Sequence, residues 1–280
     1  MKTKLKLAVG LALLSLVSCR NLVLEDRILC PRFMFFDLLN SESFESFERV
    51  CVSVYSYPEG LLLDKDTTTV RAIDNLEFYM AIRGEEAVSG HGLVGVGDNH
   101  LDGNSSWIIP EGSQADPIFR FTYLSATEPE SFLVPVELVK DHSRIGLQFV
   151  GMESFVSADG EFPFLVRITG NTCGMDILTG NPVRGPFSFL PEELSIGRFE
   201  CLLPRQADHA LRLELYGKPE LGEMEGLLGV FDLWAILYEQ GGITWLEKNL
   251  PDADITIDYK EMSVRVSVSA WGQEQLDYNF

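Results

Sequence analysis

Five cysteines and four histidines are the side chains here best suited to covalent or metal chemistry. Cys19 stands directly behind an apolar run, where a thiol is either an attachment point or a chance residue. Cys30, Cys51, Cys173 and Cys201 remain, and in an exported protein such thiols are free to pair. Four cysteines allow three connectivities. Cys30 with Cys51 and Cys173 with Cys201 keeps each bond inside one half of the chain and is the favoured expectation; the alternative is buried free thiols. No CxxC occurs, which argues against zinc or thioredoxin-like chemistry. His91, His100, His142 and His209 are scattered, and HExxH, GxSxG and GxxxxGK[ST] are all missing. The stretch Asp98 to Ile109 imitates a calcium loop with Asp98, Asp102 and Gly103. It puts His100 at the third position and Ile109 where the bidentate Glu belongs. No catalytic residue, metal or cofactor is expected. Trp107 is the best candidate for an exposed sugar platform, although core packing is the better use of its ring.

The start of the chain explains Cys19. Lys2, Lys4 and Lys6 precede Leu7 to Val17, an apolar run too short for the roughly 20 residues of a membrane span. A charged start, a short apolar core and small residues at its end make a secretory signal. Without those three lysines the formal charge passes from −20 to −23. A chain this acidic is repelled by phosphate backbones, so nucleic acid is not an expected partner.

The remaining chain is rich in period-two alternation, which marks half-buried strands. Val50, Val52 and Val54 share one parity, as do Leu76, Phe78, Met80 and Ile82. So do Ile145, Leu147 and Phe149; Phe162, Phe164, Val166 and Ile168; and Leu211, Leu213 and Leu215. Gly, Pro, Asn and Asp punctuate these runs. Many short strands predict a mostly β protein built of sandwiches, with a boundary near residue 137. Residues 229–250 predict one or two short helices, broken at Gly241-Gly242. The last segment predicts a hairpin. Ile255 and Ile257 lead to a turn at Lys260-Glu261, then Val264, Val266 and Val268 alternate with Ser263, Arg265, Ser267 and Ser269, before Trp271. A terminal strand has a free end and can pair elsewhere; the plainer reading is the final hairpin of a second domain.

Leu16-Val17-Ser18-Cys19 resembles the lipobox of bacterial lipoproteins. That resemblance implies removal of residues 1–18, a diacylglyceryl group on Cys19 and an acylated new amino terminus. Several acyl chains moor a soluble domain firmly, where one holds only marginally. Beyond it, Glu25, Asp26, Arg27, Cys30 and Pro31, then the strand Phe33 to Leu38, are similar to the start of the fimbrial anchor subunits of the fimbrillin family, the FimB-like anchors of Bacteroides-type type V pili. The ending, Ile255 to Tyr259 with its alternating strand and Trp271, resembles that family too.

The family resemblance implies two tandem transthyretin-like β-sandwich domains, here 30–137 and 138–280, behind a lipid-anchored segment, 19–29. It implies a location at the outer membrane, facing outward, and pilin subunits as partners. In the wider family, subunits join by exchange of a terminal strand. Val264, Val266, Val268 and Trp271 mark the segment expected to be given to the first stalk subunit. Stalk subunits lose their first strand to cleavage after an Arg; cleavage at Arg27 would cut this chain from its lipid, so such processing does not suit an anchor. Readings of a different class are a glycan-binding surface lipoprotein of a polysaccharide-uptake system and a tip adhesin. The sequon-like Asp66-Thr67-Thr68 offers Thr67 for glycosylation, with an ordinary loop threonine as the simpler reading.

Overall fold

A computed structural model describes residues 28–34, 49–56, 61–69, 77–79, 82–83, 88–95, 106–125, 131–151, 161–177, 179–217, 225–261 and 263–270. The chain is mostly β and divides into two compact units. Residues 95–120 cluster with the second unit, so the expected block 30–137 is not one contiguous unit.

The first unit opens with β1 (Ile28–Met34), β2 (Arg49–Ser56), β3 (Leu62–Thr69), β4 (Glu77–Tyr79), β5 (Ile82–Arg83) and β6 (Val88–Gly95). Within the stretch 75–84 expected as a strand, β4 and β5 follow one common register along β1, and residues 80–81 between them lie outside the described residues. β1 pairs antiparallel with both of them. β2 and β3 form a hairpin with an irregularity at Val54/Tyr55. Val52, Ser53 and Val54 are all buried, so β2 is covered on both faces there rather than on one. Thr67 sits within β3, opposite Cys51, and not in a loop.

The chain continues through β7 (Ser106–Ile108), β8 (Ile118–Ser125), β9 (Ser131–Pro135) and β10 (Val139–Lys140). β9 lies parallel to β1 in the first unit. β10 pairs with the opening residues of β8, Phe119 and Arg120.

The second unit holds most of the remaining strands: β11 (His142–Val150), β12 (Phe164–Asp176), β13 (Pro182–Phe189), β14 (Glu192–Ser195), β15 (Arg198–Pro204), β16 (Arg212–Gly217), β17 (Glu225–Phe231), β18 (Asp252–Asp258) and β19 (Ser263–Ser269). They make two sheets, one in the order β14-β15-β11-β18-β19, the other β13-β12-β16-β17 with β7 joined to β12. The alternation read from the sequence is realised here. Ile145, Leu147 and Phe149 from one sheet, and Val166, Ile168, Leu211, Leu213 and Leu215 from the other side, share one hydrophobic core. Phe149, Phe162 and Phe199 meet edge-on and tilted at 5.3–5.9 Å within it. Each such pair adds about 0.5–1.5 kcal/mol beyond area burial.

The helical expectation is met only in part. A three-residue helix, α1 (Leu233–Ala235), runs straight into a π-helical turn, Ile236–Gln240. The Asp232 carboxylate caps it by accepting from the Ala235 N–H at 3.0 Å. Leu233 and Leu237 are the side chains it buries. Residues 243–250 form no helix. Thr244 donates to the Glu247 carboxylate through its N–H and its hydroxyl, and Trp245 adopts φ +63°. The carbonyls of Trp245, Glu247 and Lys248 accept from the Arg205 guanidinium rather than from a helical ladder.

Arg205 is itself held by a carboxylate. Asp141, fully buried, takes Arg205 at 3.0 Å and Arg120 at 2.8 Å. Next to it, Lys140 reaches Asp252 at 2.6 Å and the Leu250 carbonyl at 3.1 Å. These contacts fasten the entry of β11 to the start of β18 across more than a hundred residues of sequence.

Candidate functional site

The final hairpin forms as expected. β18 and β19 pair in a regular antiparallel register, with Ile257 opposite Val264, Ile255 opposite Val266 and Ala253 opposite Val268. Directly opposed residues share a face, so the three valines look the same way as Ala253, Ile255 and Ile257, which are buried in the core. The turn is set by the Asp258 side chain, which accepts from the N–H groups of Lys260 and Glu261 at 3.0 and 2.9 Å. An Asx-type turn of this kind fixes hairpin register.

β19 is the last strand of its sheet and pairs with β18 alone among the described residues. Its valines are less buried than their β18 partners. Val264 and Val266 are half-buried, and Val268 is 40% exposed. The reason lies above them. At the other edge of the facing sheet, β17 pairs with β16 alone among the described residues and is distorted by irregularities at Leu215/Tyr216 and Tyr216/Gly217. Between β17 and β19 the described residues leave the sandwich open along one side.

The helical segment closes part of that side. Gly241, at the end of the π-helical turn, sits against Val266 and Val268: a Cβ there would lie 3.1 and 3.2 Å from their methyl groups. The Val264 end stays open. There a groove of about 450 Å³ is lined by Phe164, Leu215, Phe231, Ile257 and Val264, with Leu228 and Tyr259 at its rim. On β17, Leu227, Leu228 and Val230 are each more than half exposed, Leu228 at 62%. Edge strands with a row of exposed aliphatic side chains template pairing with another chain unless something covers them. Among the described residues the arrangement therefore offers an unpaired backbone edge beside an apolar slot, which suits strand pairing.

The other expected site residues separate. Cys19 and Trp271 lie outside the described residues. Cys30 and Cys51 fall on β1 and β2. Cys173 and Cys201 are free thiols and do not form the expected bond. Cys201 points from β15 into the core at 1% exposure, where burial pushes its thiol pKa up. Cys173 turns its sulfur toward β13, 3.8 Å from the Val183 carbonyl and over Gly185, which leaves room for it. Trp107 is 2% exposed on β7, pressed against Gly174 of β12, and so forms no platform. His142 is buried, and His209 stacks on Trp234 at 3.6 Å. Residues 98–103 of the calcium-like stretch fall outside the described residues. The β17 edge and the groove carried no sequence signal, because Leu227-Leu228 break alternation and the groove's walls come from distant segments.

No protein-family model matches this chain, and no curated protein matches it. Solved structures share its fold. A candidate polysaccharide-binding protein from Bacteroides thetaiotaomicron superposes with a TM-score of 0.60 at 12% identity, over 87% of this chain and 96% of that one. A fimbrial anchor protein from Porphyromonas gingivalis gives 0.57 at 10% identity, over 87% and 98%. A candidate adhesin from Bacteroides thetaiotaomicron gives 0.56 at 11% identity, over 89% and 98%. At these identities the likeness establishes the fold, and it spans nearly the full length of each neighbour.

Proposed function

We propose that this chain is a subunit at the membrane end of a fimbria, moored to the outer membrane by acyl chains on Cys19 and joined to the next subunit through β19. The observation that carries the reading is the edge itself: the last described strand, paired on one side among the described residues, with half-buried valines beside an apolar groove. The fold shared with a fimbrial anchor supports it. The work is mechanical. Lipid resists pull at one end, strand pairing transmits load at the other, and no residue is assigned to turnover.

The gain on exchange follows from burial. Fully burying a valine stabilises by about 1.5–3 kcal/mol, and three half-covered valines realise only part of that at home. A partner that covers them completely recovers the rest, together with a new ladder of backbone bonds.

The test uses the full chain produced beside its neighbouring fimbrial subunits and a variant ending after Tyr259. The full chain should co-purify with a fimbrial subunit, and the shortened chain should not. A shortened chain that still carries the subunit places the joint elsewhere. The second reading, an adhesin or glycan binder, draws on the two other neighbours; Trp107, buried as core packing requires, gives a sugar no platform.

A further inference from the structure

The second unit holds another hollow, which shares no residue with the β17–β19 groove. It measures about 410 Å³, within the roughly 300–1,000 Å³ of small-molecule sites. Distant segments build it. β8 gives Arg120, the turn between β12 and β13 gives Asn181, the segment after β15 gives Gln206, and the 244–248 loop gives Trp245 and Glu247. All of them belong to the second unit.

Charge is unbalanced at this pocket. Asp141 is one carboxylate facing two guanidiniums, Arg120 and Arg205. Lys248 and Glu247 add one charge of each sign. One positive charge is therefore left over, on a chain whose net charge is −20. The two arginines differ in what they have free. Arg205 donates to Asp141 and to the carbonyls of Trp245, Glu247 and Lys248. Among the described residues Arg120 donates only its Nε–H, to Asp141, and its side chain is 15% exposed. Its terminal nitrogens lie beside Gly180, where a Cβ would come within 2.5 Å of Nη2. Such a fork of N–H groups in a partly closed pocket matches a carboxylate.

Polar atoms without partners gather in the same walls. Among the described residues, Gln206 Oε1, Trp245 Nε1 and Glu247 Oε2 are buried with no hydrogen-bond partner. Gln206 is 8% exposed and Trp245 less still. Buried polar groups in native proteins are nearly always bonded, so three orphans around one pocket mark it for a ligand. One donor and two acceptors call for a molecule that both accepts and donates, as hydroxyl groups do. Two of the three sit on the 244–248 loop, where Trp245 is held at φ +63° and Leu246 is exposed. A loop so strained and so lightly covered can yield to let a ligand reach them.

We propose that this pocket binds a small sugar acid, with the carboxylate on Arg120 and the hydroxyls shared among Asn181, Gln206, Trp245 and Glu247. The leftover charge selects the acid over a neutral sugar. The mixture of donors and acceptors selects a hydroxylated acid over a simple one. Pro182 and Leu246 offer aliphatic surface to the C–H face of the ring. The site does not depend on the exchange role of β19.

The test is calorimetric titration of the full chain, purified in detergent micelles, with D-glucuronate and D-galacturonate, against D-glucose and acetate. At least one uronate should bind tenfold or more tightly than both controls. Arg120→Lys keeps a positive charge beside Asp141 and loses the fork. Asn181→Trp, at an exposed position in the pocket wall, fills the mouth. Each variant should weaken uronate binding at least tenfold, with melting curves showing that it folds; if Arg120→Lys fails to fold, Asn181→Trp decides. No uronate binding, binding no tighter than that of glucose or acetate, or full affinity in a folded variant overturns the proposal. Either result leaves the co-purification test of β19 standing.

Discussion

Acid should loosen the second unit through one ring. His142 opens β11 with its side chain buried. Its Nδ1 lies 3.1 Å from the Ile118 N–H and 2.9 Å from the Ile118 carbonyl, and Phe119 meets the ring edge-on at 5.2 Å. Burial lowers its pKa from 6.5 to about 4; the Lys140 charge pushes the same way, against the Ile118 carbonyl and Asp252. The folded protein thus holds the ring neutral, whereas the unfolded chain takes up a proton once pH falls below about 6.5. Above that pH the ring costs nothing. Between pH 6.5 and 4 stability falls, by up to about 1.4 kcal/mol per pH unit, reaching a loss of about 3 kcal/mol at the bottom of the window. Carboxylates titrate in the same range, so a variant is needed to isolate the ring. His142→Asn keeps a group able to bond Ile118 and removes the titration. Urea unfolding at pH 7 and 4.5 should show the wild type losing about 2 kcal/mol more than the variant over that interval. Equal losses in the two proteins, or a measured His142 pKa near 6.5 in the folded state, would refute the reasoning.

Asp141→Asn leaves Arg120 and Arg205 facing a buried amide, and Arg205 also seats the 245–248 loop. Breaking a buried pair this way should cost about 3–5 kcal/mol in urea unfolding. Cys173 and Cys201 should both take up alkylating reagent after unfolding without reductant, and peptide mapping of the native protein should find no bond between them. Gly241→Ala sets a methyl 2.7 Å from the Leu237 carbonyl and against Val266 and Val268. It should lower the melting midpoint, with overpacking of about 1–3 kcal/mol, and should raise deuterium uptake of β19 before that of β11.

Strand content and the closing hairpin were legible because period-two patterning reports which face is covered, and Ile145, Leu147, Leu213, Ile255 and Ile257 are indeed buried. The turn was legible too, although the residue that fixes it, Asp258, stands just ahead of Lys260-Glu261. Where the sequence misled, tertiary contacts decided. Residues 243–250 lose a helix to the Arg205 guanidinium, which collects their carbonyls. Trp107, by contrast, is packed as the better reading of its ring held: β7 pairs with β12, where Gly174 lets the two backbones meet. Cys173 and Cys201 remain free thiols, Cys173 beside the Val183 carbonyl and Cys201 buried on β15, a placement that spacing along a chain does not encode. The groove was invisible because Phe164, Leu228 and Val264 share no local pattern.

The most direct measurement is the fraction of fimbriae shed into the medium by cells carrying Cys19→Ala in place of the wild-type chain. Anchoring through acylated Cys19 predicts that most assembled fimbriae appear in the medium while their subunit composition is unchanged. Fimbriae that stay on the cells at the wild-type level would contradict it.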